Sequence, residues 1–150
     1  MDRYHRGLVA GMIAGIPMNI WDLASYYYLR YSELRYLDWS GVMIFGHLPK
    51  GNAEMVFALI SHFFWVGFLG LIFAFLIGEK VTSRKYLLKG LEFGYIVGFF
   101  IYAVGIAFKM PDISIRSIET AISQFIGGGI WGLTLALVLK WLDTTPRVKS

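Results

Sequence analysis

The sequence predicts an all-α membrane protein with four transmembrane helices, and composition, segment length and an internal repeat support this fold class. Of the 150 residues, 57% are hydrophobic and 16% are charged, and the apolar residues gather into long runs. The runs lie at approximately 7–29, 55–77, 90–108 and 120–142. Each is long enough to cross a hydrocarbon core of ~30 Å as a helix that rises ~1.5 Å per residue. Because these runs occupy most of the chain, residues 1–150 are expected to form a single transmembrane domain.

The spans resemble one another in pairs. The second span contains Ile60-Ser61-His62-Phe63 and the fourth, 62 residues later, contains Ile122-Ser123-Gln124-Phe125. The first and third spans align at an offset of 83, with Gly7 on Gly90, Gly11 on Gly94 and Gly15 on Gly98. Two crossings separate the halves, so a hairpin used twice would run in the same sense both times. The sequence therefore predicts two parallel-repeat hairpins, and the alternative is chance similarity between apolar helices.

Glycines at every third or fourth position mark one face of each predicted span. A face of small residues lets another helix approach closely, so these glycines are expected to be packing sites. The predicted interface is either with further copies of the chain, giving a homo-oligomer, or with a partner membrane subunit. The predicted packing residues are Gly7, Gly11, Gly15, Gly67, Gly70, Gly90, Gly94, Gly98, Gly129 and Gly132.

The connecting segments differ in character. Residues 30–54 form a predicted outer loop that is rich in aromatic residues, as in the interfacial belt of a membrane protein. Within it, residues 41–48 are apolar but too short to span, so they are expected to be re-entrant or to lie in the interface. Pro17 is expected to kink the first helix, and Pro111 is expected to stop the third span.

The distribution of charge predicts the orientation. The termini and the loop 78–89 together carry nine Lys or Arg residues against three acids, whereas the opposite side carries five against five. The positive-inside rule then places both termini in the cytoplasm of a bacterial or archaeal inner membrane. The net charge of +4 is accounted for by this topology, so nucleic acid is not an expected partner. The chain has no cysteine, which excludes disulfides, thiolate nucleophiles and thiolate metal sites.

Polar residues in the spans fall in one predicted layer. Asp22 follows Gly7 by fifteen residues, roughly 22 Å along an outward helix, and His62 is roughly 10 Å below the outer face on an inward helix. A lone carboxylate in hydrocarbon costs at least ~2.5 kcal/mol, so Asp22 needs a partner, and His62 is the best candidate. We predict an outward-opening polar cavity, reached through the Pro17 kink and lined by Asp22, His62, Asn19 and Gln124, with Ser61, Ser123 and Tyr102 near the same layer.

Other interpretations of these polar residues stay open. His62 alone can be a structural hydrogen-bonding residue between helices, and Asp22 can be wetted by lipid headgroups. His47, Glu54 and His62 do not have an established ligand spacing, so no metal is expected, and no sequence feature implies a cofactor. Motifs of the common enzyme classes are absent from the sequence, although a membrane-embedded enzyme acting on a lipid is a third possibility.

Several short motifs carry a resemblance to a known group of proteins. They are Arg6-Gly7-Leu8 with Gly11, His62 with Trp65-Val66-Gly67, and Lys89-Gly90-Leu91 with Gly94. In these motifs the chain resembles small four-helix bacterial inner-membrane proteins of the YagU-like and YqhR-like type. The resemblance covers the spans but not the loops. It implies the four-helix topology, points toward protons through an association of the former group with acid tolerance, and implies no catalytic residues.

The sequence thus predicts a small oligomeric membrane protein, not an enzyme, whose polar cavity serves permeation or binding of an ion, a proton or a small solute. Four helices enclose little space, so a conduit would need an oligomer or a partner. The alternative is a non-catalytic accessory or scaffold subunit that packs against a larger membrane complex through its glycine faces.

Overall fold

The computed structural model describes residues 2–77 and 85–144, and these residues form helices connected by short segments. The helices are α1 (Arg3–Tyr27), α2 (Tyr36–Phe45), α3 (Gly51–Ile77), α4 (Tyr86–Ala107), α5 (Pro111–Ser114) and α6 (Ile118–Thr144). Four of them, α1, α3, α4 and α6, are long and apolar enough to cross a membrane. The predicted all-α class is therefore confirmed for the described residues, and the four long helices correspond to the four predicted spans. The basic residues Lys80 and Arg84 and the chain after residue 144 lie outside the described part.

Glycines bring α1 and α3 into backbone contact. A Cβ atom added to Gly70 would meet Gly7 O and would lie 2.6 Å from the Cα of Gly11. Gly67 lies against Met12 and Leu8 in the same interface. At Gly70 no side chain separates the two backbones. Helices α1 and α3 therefore pack closely through glycines, as the sequence predicted.

The second helix pair, α4 and α6, is joined in the same way. A Cβ atom added to Gly132 would meet Gly90 O and would lie 3.3 Å from the Cα of Gly94. Two of the predicted packing glycines behave differently. Gly129 lies beneath the side chains of Tyr95 and Leu91, whereas a Cβ atom added to Gly98 would have nothing within 4 Å.

Helix α1 also packs against α6, so the four long helices lie in the order α3, α1, α6, α4. At one end, Arg6 forms an ion pair of 2.6 Å with Asp143. Near the middle, the indole of Trp131 donates to Gly11 O at 3.2 Å. Trp131 belongs to a buried apolar cluster with residues of α1 and α3, including Met18, Val66 and Phe73.

Helix α2 lies inside the segment 30–54, for which the sequence analysis predicted a loop. It begins five residues before the apolar stretch 41–48 and ends at Phe45, and the next residue, Gly46, has a positive φ of 75°. Asp38 stabilises its start by accepting a hydrogen bond of 2.7 Å from Arg35 N. The helix packs on α3, and its residues Leu37, Trp39 and Val42 are buried. An apolar helix of ten residues can pack against the other helices even though it cannot span a membrane.

A buried ion pair holds the connection between α1 and α2. The Arg35 guanidinium donates to Asp38 Oδ1 at 2.7 Å and lies 4.8 Å above the ring of Tyr26. Burial by itself lowers the pKa of Arg35, but the hydrogen bond and the charge of Asp38 outweigh it and raise that pKa above its ordinary value. The pair therefore stays charged and fixes the chain where it turns back toward α2.

Candidate functional site

Asp22 is fully buried, and its partner is a backbone group of α2. Its Oδ2 accepts a hydrogen bond of 2.8 Å from Tyr36 N, while its Oδ1 has no partner. No ion pair within 4.0 Å joins Asp22 to His62 in the described residues. The direct Asp22–His62 pair expected from the sequence is therefore replaced by an arrangement in which Tyr36 contacts both residues.

His62 is buried on α3 and is held by aromatic contacts. Its ring stacks on that of Tyr36, with centroids 5.6 Å apart and an angle of 11° between the planes. Neither ring nitrogen of His62 has a hydrogen-bond partner among the described residues, and Nε2 is fully enclosed. An imidazole always presents at least one N–H group, so this ring has unused hydrogen-bonding capacity inside the protein.

Gln124 connects three elements. Its Oε1 accepts a hydrogen bond of 2.7 Å from the hydroxyl of Tyr102, and its Nε2 donates to Leu34 O at 3.4 Å. Its backbone oxygen accepts from the hydroxyl of Tyr36. The structure therefore brings Gln124 and Tyr102 together, as two members of the predicted polar layer.

Three other members of the predicted layer make local or structural contacts. Asn19 Nδ2 donates to Gly15 O at 2.8 Å, and its Oδ1 has no partner. Ser123 shares a hydrogen bond of 2.6 Å with Ser25, which joins α1 to α6. Ser61 is half-buried on α3, beside His62.

A cavity of about 290 Å³ lies between α3 and α4, with α2 at one end and α6 at the back. Its walls are almost entirely apolar and aromatic. Residues from five helices line it, among them Met18, Trp39, Met43, Ser61, His62, Trp65, Tyr95, Gly98, Tyr102, Gln124, Gly128 and Trp131.

The cavity differs from the polar one that the sequence analysis predicted. His62, Gln124, Ser61 and Tyr102 lie in its walls, but Asp22, Asn19 and Ser123 do not. The reason is that these side chains are engaged elsewhere: the Asp22 carboxylate contacts α2, and the Asn19 amide and the Ser123 hydroxyl contact Gly15 and Ser25 of α1. The few polar groups in the wall therefore stand on an apolar surface.

The cavity opens sideways. Helices α3 and α4 do not pack along each other, because α3 packs mainly against α1 and α4 packs mainly against α6. Met43, Trp65 and Tyr95 line the cavity and are also exposed on the outer surface of the bundle. Two of these residues, Trp65 and Tyr95, belong to helices that are long and apolar enough to cross a membrane.

The end of the cavity near α5 is closed by an aromatic pair. Trp39 and Tyr102 have ring centroids 5.6 Å apart, and Arg116 lies 3.9 Å from the centroid of Tyr102. A guanidinium over aromatic faces is a favourable cation–π contact, so Arg116 holds this pair in place.

Sequence reasoning missed Tyr36, which is the residue that links Asp22, His62 and Gln124. Tyr36 was one of several aromatic residues in a predicted interfacial segment, and no pattern distinguished it from its neighbours. A weak signal was that it lies two residues before Asp38, an acidic residue suited to the first turn of a helix that ends before Gly46.

Comparison of the chain with protein-family models, with curated proteins and with solved structures gave no match. Within the described residues, no group of three or more His, Asp or Glu side chains is arranged to hold a metal ion.

Proposed function

We propose that this multi-pass membrane protein binds a small, largely apolar molecule from the lipid bilayer in the cavity between α3 and α4. One observation carries the proposal: an imidazole without hydrogen-bond partners, His62, stands in the wall of an otherwise apolar cavity. Leaving a buried polar group unpaired costs about 1–3 kcal/mol. A ligand with one polar group and an apolar body would recover this cost and fill the space.

The shape of the cavity supports a ligand that arrives from the membrane. Its opening faces the apolar surface, and an ion or a strongly hydrated solute would gain little from its apolar walls. Its volume of about 290 Å³ is at the lower end of the usual range for ligand pockets, ~300–1,000 Å³. This size suits a molecule with one or two rings or a short segment of hydrocarbon chain.

Gly98 offers a direct test of the cavity. A Cβ atom added at this position would have no neighbour within 4 Å, and Gly98 lines the cavity, so we expect Gly98→Leu to fill it. Ala103→Leu is a matched control, because Ala103 lies on the exposed surface of the same helix. Both variants add apolar volume to α4, but only one adds it inside the proposed site.

Binding can be measured with 4-bromophenol, whose bromine quenches tryptophan fluorescence on contact. Trp39, Trp65 and Trp131 lie in the cavity wall and report its occupancy. In lipid nanodiscs, we expect saturable quenching of the wild type and of Ala103→Leu, above the linear quenching caused by partitioning. Gly98→Leu should show only the linear part. The proposal is refuted if the wild type shows no saturable quenching, or if Gly98→Leu retains it.

The topology proposed for this function is a two-pass unit used twice, with both termini in the cytoplasm of a bacterial or archaeal inner membrane. The contact of Gly70 with Gly7 and Gly11 supports the repeat, because Gly132 meets Gly90 and Gly94 at the equivalent positions. The orientation rests on the excess of Lys and Arg at the termini and in the loop 78–89. The resemblance to the YagU-like and YqhR-like proteins is proposed on the same basis, from the motifs of the spans.

A second candidate function is that of an accessory subunit in a membrane complex, and the exposure of α4 favours it. Only 17% of the most apolar stretch of α4 is buried, against 44% or more in the other three long helices. The glycines that the sequence analysis assigned to such an interface mostly meet inside one chain, so the partner helix would pack on Ile96, Phe99 and Phe100 instead.

The absence of cysteine makes this candidate easy to test by cross-linking. A single Phe99→Cys substitution, with Phe75→Cys on α3 as the control, can be labelled with benzophenone-4-maleimide in native membranes and then irradiated. The activated benzophenone inserts into C–H bonds of a neighbouring protein, so the partner needs no cysteine of its own. A product of twice 17.0 kDa identifies a second copy, and a discrete product of another size identifies a different subunit. If Phe99→Cys and Phe75→Cys both stay monomeric, lipid covers α4 and the accessory function is rejected.

A further inference from the structure

The environment of His62 defines which polar group a ligand of the cavity would carry. Nε2 is fully enclosed by protein, so Nδ1 is the ring nitrogen through which His62 meets the cavity. In a neutral imidazole one nitrogen carries the proton and the other presents a lone pair. The position of that proton therefore decides whether the cavity offers a hydrogen-bond donor or an acceptor.

Two buried, unpartnered oxygen atoms of α1 lie at or close to the level of His62 along the helix pair. Gly15 lies against Phe63, and α1 and α3 are antiparallel, so Asn19, one turn beyond Gly15, is level with the turn of α3 that contains His62. Asn19 Oδ1 is buried without a partner. Its amide nitrogen already donates to Gly15 O, so Asn19 presents only an acceptor in this direction.

Asp22 adds a second acceptor one turn further along α1. Its Oδ1 is also buried and unpartnered, and its Oδ2 binds the backbone N–H of Tyr36, whose ring stacks on His62. Among the described residues, Asn19 Oδ1 is an unused acceptor in this region, and the ionised form of Asp22 adds a second one. A carboxylate near an imidazole favours the N–H that points toward it.

We infer that the proton of neutral His62 resides on Nε2, directed at Asn19 and Asp22, and that Nδ1 presents its lone pair to the cavity. One buried water can complete the contact, since such waters typically bridge about three otherwise unsatisfied polar groups. A ligand must then donate a hydrogen bond to Nδ1. This inference rests on the proposed binding function and narrows its ligand class to apolar molecules that carry a hydrogen-bond donor, of which the hydroxyl of an alcohol or a phenol is the simplest.

Three brominated probes of similar size separate the possibilities in the quenching assay in nanodiscs. They are 4-bromophenol, which donates a hydrogen bond, 4-bromoacetophenone, which only accepts one, and 4-bromotoluene, which does neither. Affinities are compared on the scale of the concentration in the bilayer, measured with empty nanodiscs. We expect the phenol to bind about tenfold more tightly than the toluene, the gain typical of one hydrogen bond in a buried site. The acetophenone should bind no better than the toluene.

The variant His62→Phe tests whether His62 causes the preference. Phenylalanine keeps a flat ring against Tyr36 but removes both nitrogens, so we expect the tenfold advantage of the phenol to vanish while the toluene still binds. Nitrogen-15 NMR of histidine-labelled protein, with His62 assigned by its loss in this variant, should show the Nε2–H tautomer. A proton on Nδ1, or a ligand preference for the acetophenone, would overturn the inference.

The two proposals fail in different ways. If none of the three probes gives saturable quenching, the cavity is not a binding site and the proposed function falls. If all three bind equally to the wild type, the binding function stands and the hydroxyl preference is wrong. A phenol preference that survives in His62→Phe would assign the recognition to another wall residue and also reject the inference.

Discussion

The contact between Gly70 and α1 can be tested with a single methyl group. In Gly70→Ala the new Cβ atom would lie 2.6 Å from Gly11 Cα and 2.8 Å from Gly11 N, whereas ordinary contact begins at 3.4 Å. Both neighbouring atoms belong to the backbone of α1, so no flexible side chain can move aside. The two helices must separate by about 0.8 Å at this point, the difference between the observed and the ordinary distance.

Gly128→Ala is the matched control for this change. Its Cβ atom would lie 3.4 Å from Gly94 O, which is already an ordinary contact. Both replacements gain up to about 1 kcal/mol of helix propensity, so this gain cancels when the two variants are compared. What remains is the cost of forcing two packed helices apart, about 1–3 kcal/mol for an overpacked interface. We therefore expect Gly70→Ala to be less stable than Gly128→Ala by that amount.

Reversible unfolding in mixed micelles with increasing SDS measures this difference. Trp131 donates to Gly11 O at the same crossing, so tryptophan fluorescence follows the separation of α1 from its neighbours. We expect Gly128→Ala to unfold at the wild-type SDS fraction or above it, and Gly70→Ala clearly below. Equal midpoints for the two variants would show that the backbones of α1 and α3 are not in contact. The close packing of these two helices at Gly70 would then be refuted.

Three further changes probe the residues around α2 in the same SDS titration. Asp22→Ala removes the acceptor for Tyr36 N and should cost about 1.5–3 kcal/mol, whereas Asp22→Asn keeps an acceptor and should cost less; equal losses would argue against this hydrogen bond. Asp38→Ala leaves the Arg35 guanidinium buried without its carboxylate and should cost about 3–5 kcal/mol, so a loss under 1 kcal/mol would mean that Arg35 is solvated. Tyr36→Phe keeps the stacking on His62 but loses the hydrogen bond to Gln124 O, and we expect a loss of about 0.5–1.5 kcal/mol; an unchanged midpoint would contradict that bond.

The four long helices could be predicted from the sequence because few backbone structures are stable in a membrane. A long apolar segment in lipid has to satisfy its backbone internally, which makes a helix the expected structure. The glycine spacing predicted close packing for the same reason, since only small residues let two backbones meet. It did not identify the partner, because Gly11 looks the same in the sequence whether it meets Gly70 of its own chain or a helix of another.

The candidate site was harder to predict because its key contacts involve the backbone and a short helix. The partner of Asp22 is the N–H of Tyr36, and a backbone donor leaves no mark in the sequence. The sequence predicted that Asp22 and His62 lie at the same depth in the membrane. Depth alone does not determine the direction in which each side chain points from its helix. Consequently the sequence placed polar residues near the cavity without showing that its walls are apolar.

The cavity itself follows from one difference between the two proposed repeats. In the first, Gly15 is covered by the side chains of Val66 and Phe63. Gly98 is the repeat equivalent of Gly15, and Gly128 is the equivalent of Val66 at the offset of 62. Glycine at position 128 removes the side chain that would cover Gly98, and both glycines line the cavity.

Restoring that side chain should therefore close the site. A Cβ atom at position 128 has ordinary contacts, so we expect Gly128→Val to fold with wild-type stability or better and to lose saturable quenching by 4-bromophenol. The SDS titration and the quenching assay measure the two effects on the same preparation. If a stable Gly128→Val variant still shows saturable quenching, the probe does not bind in the space beside Gly98 and Gly128. A loss of quenching without a loss of stability would tie binding to position 128, where the proposed first repeat has Val66.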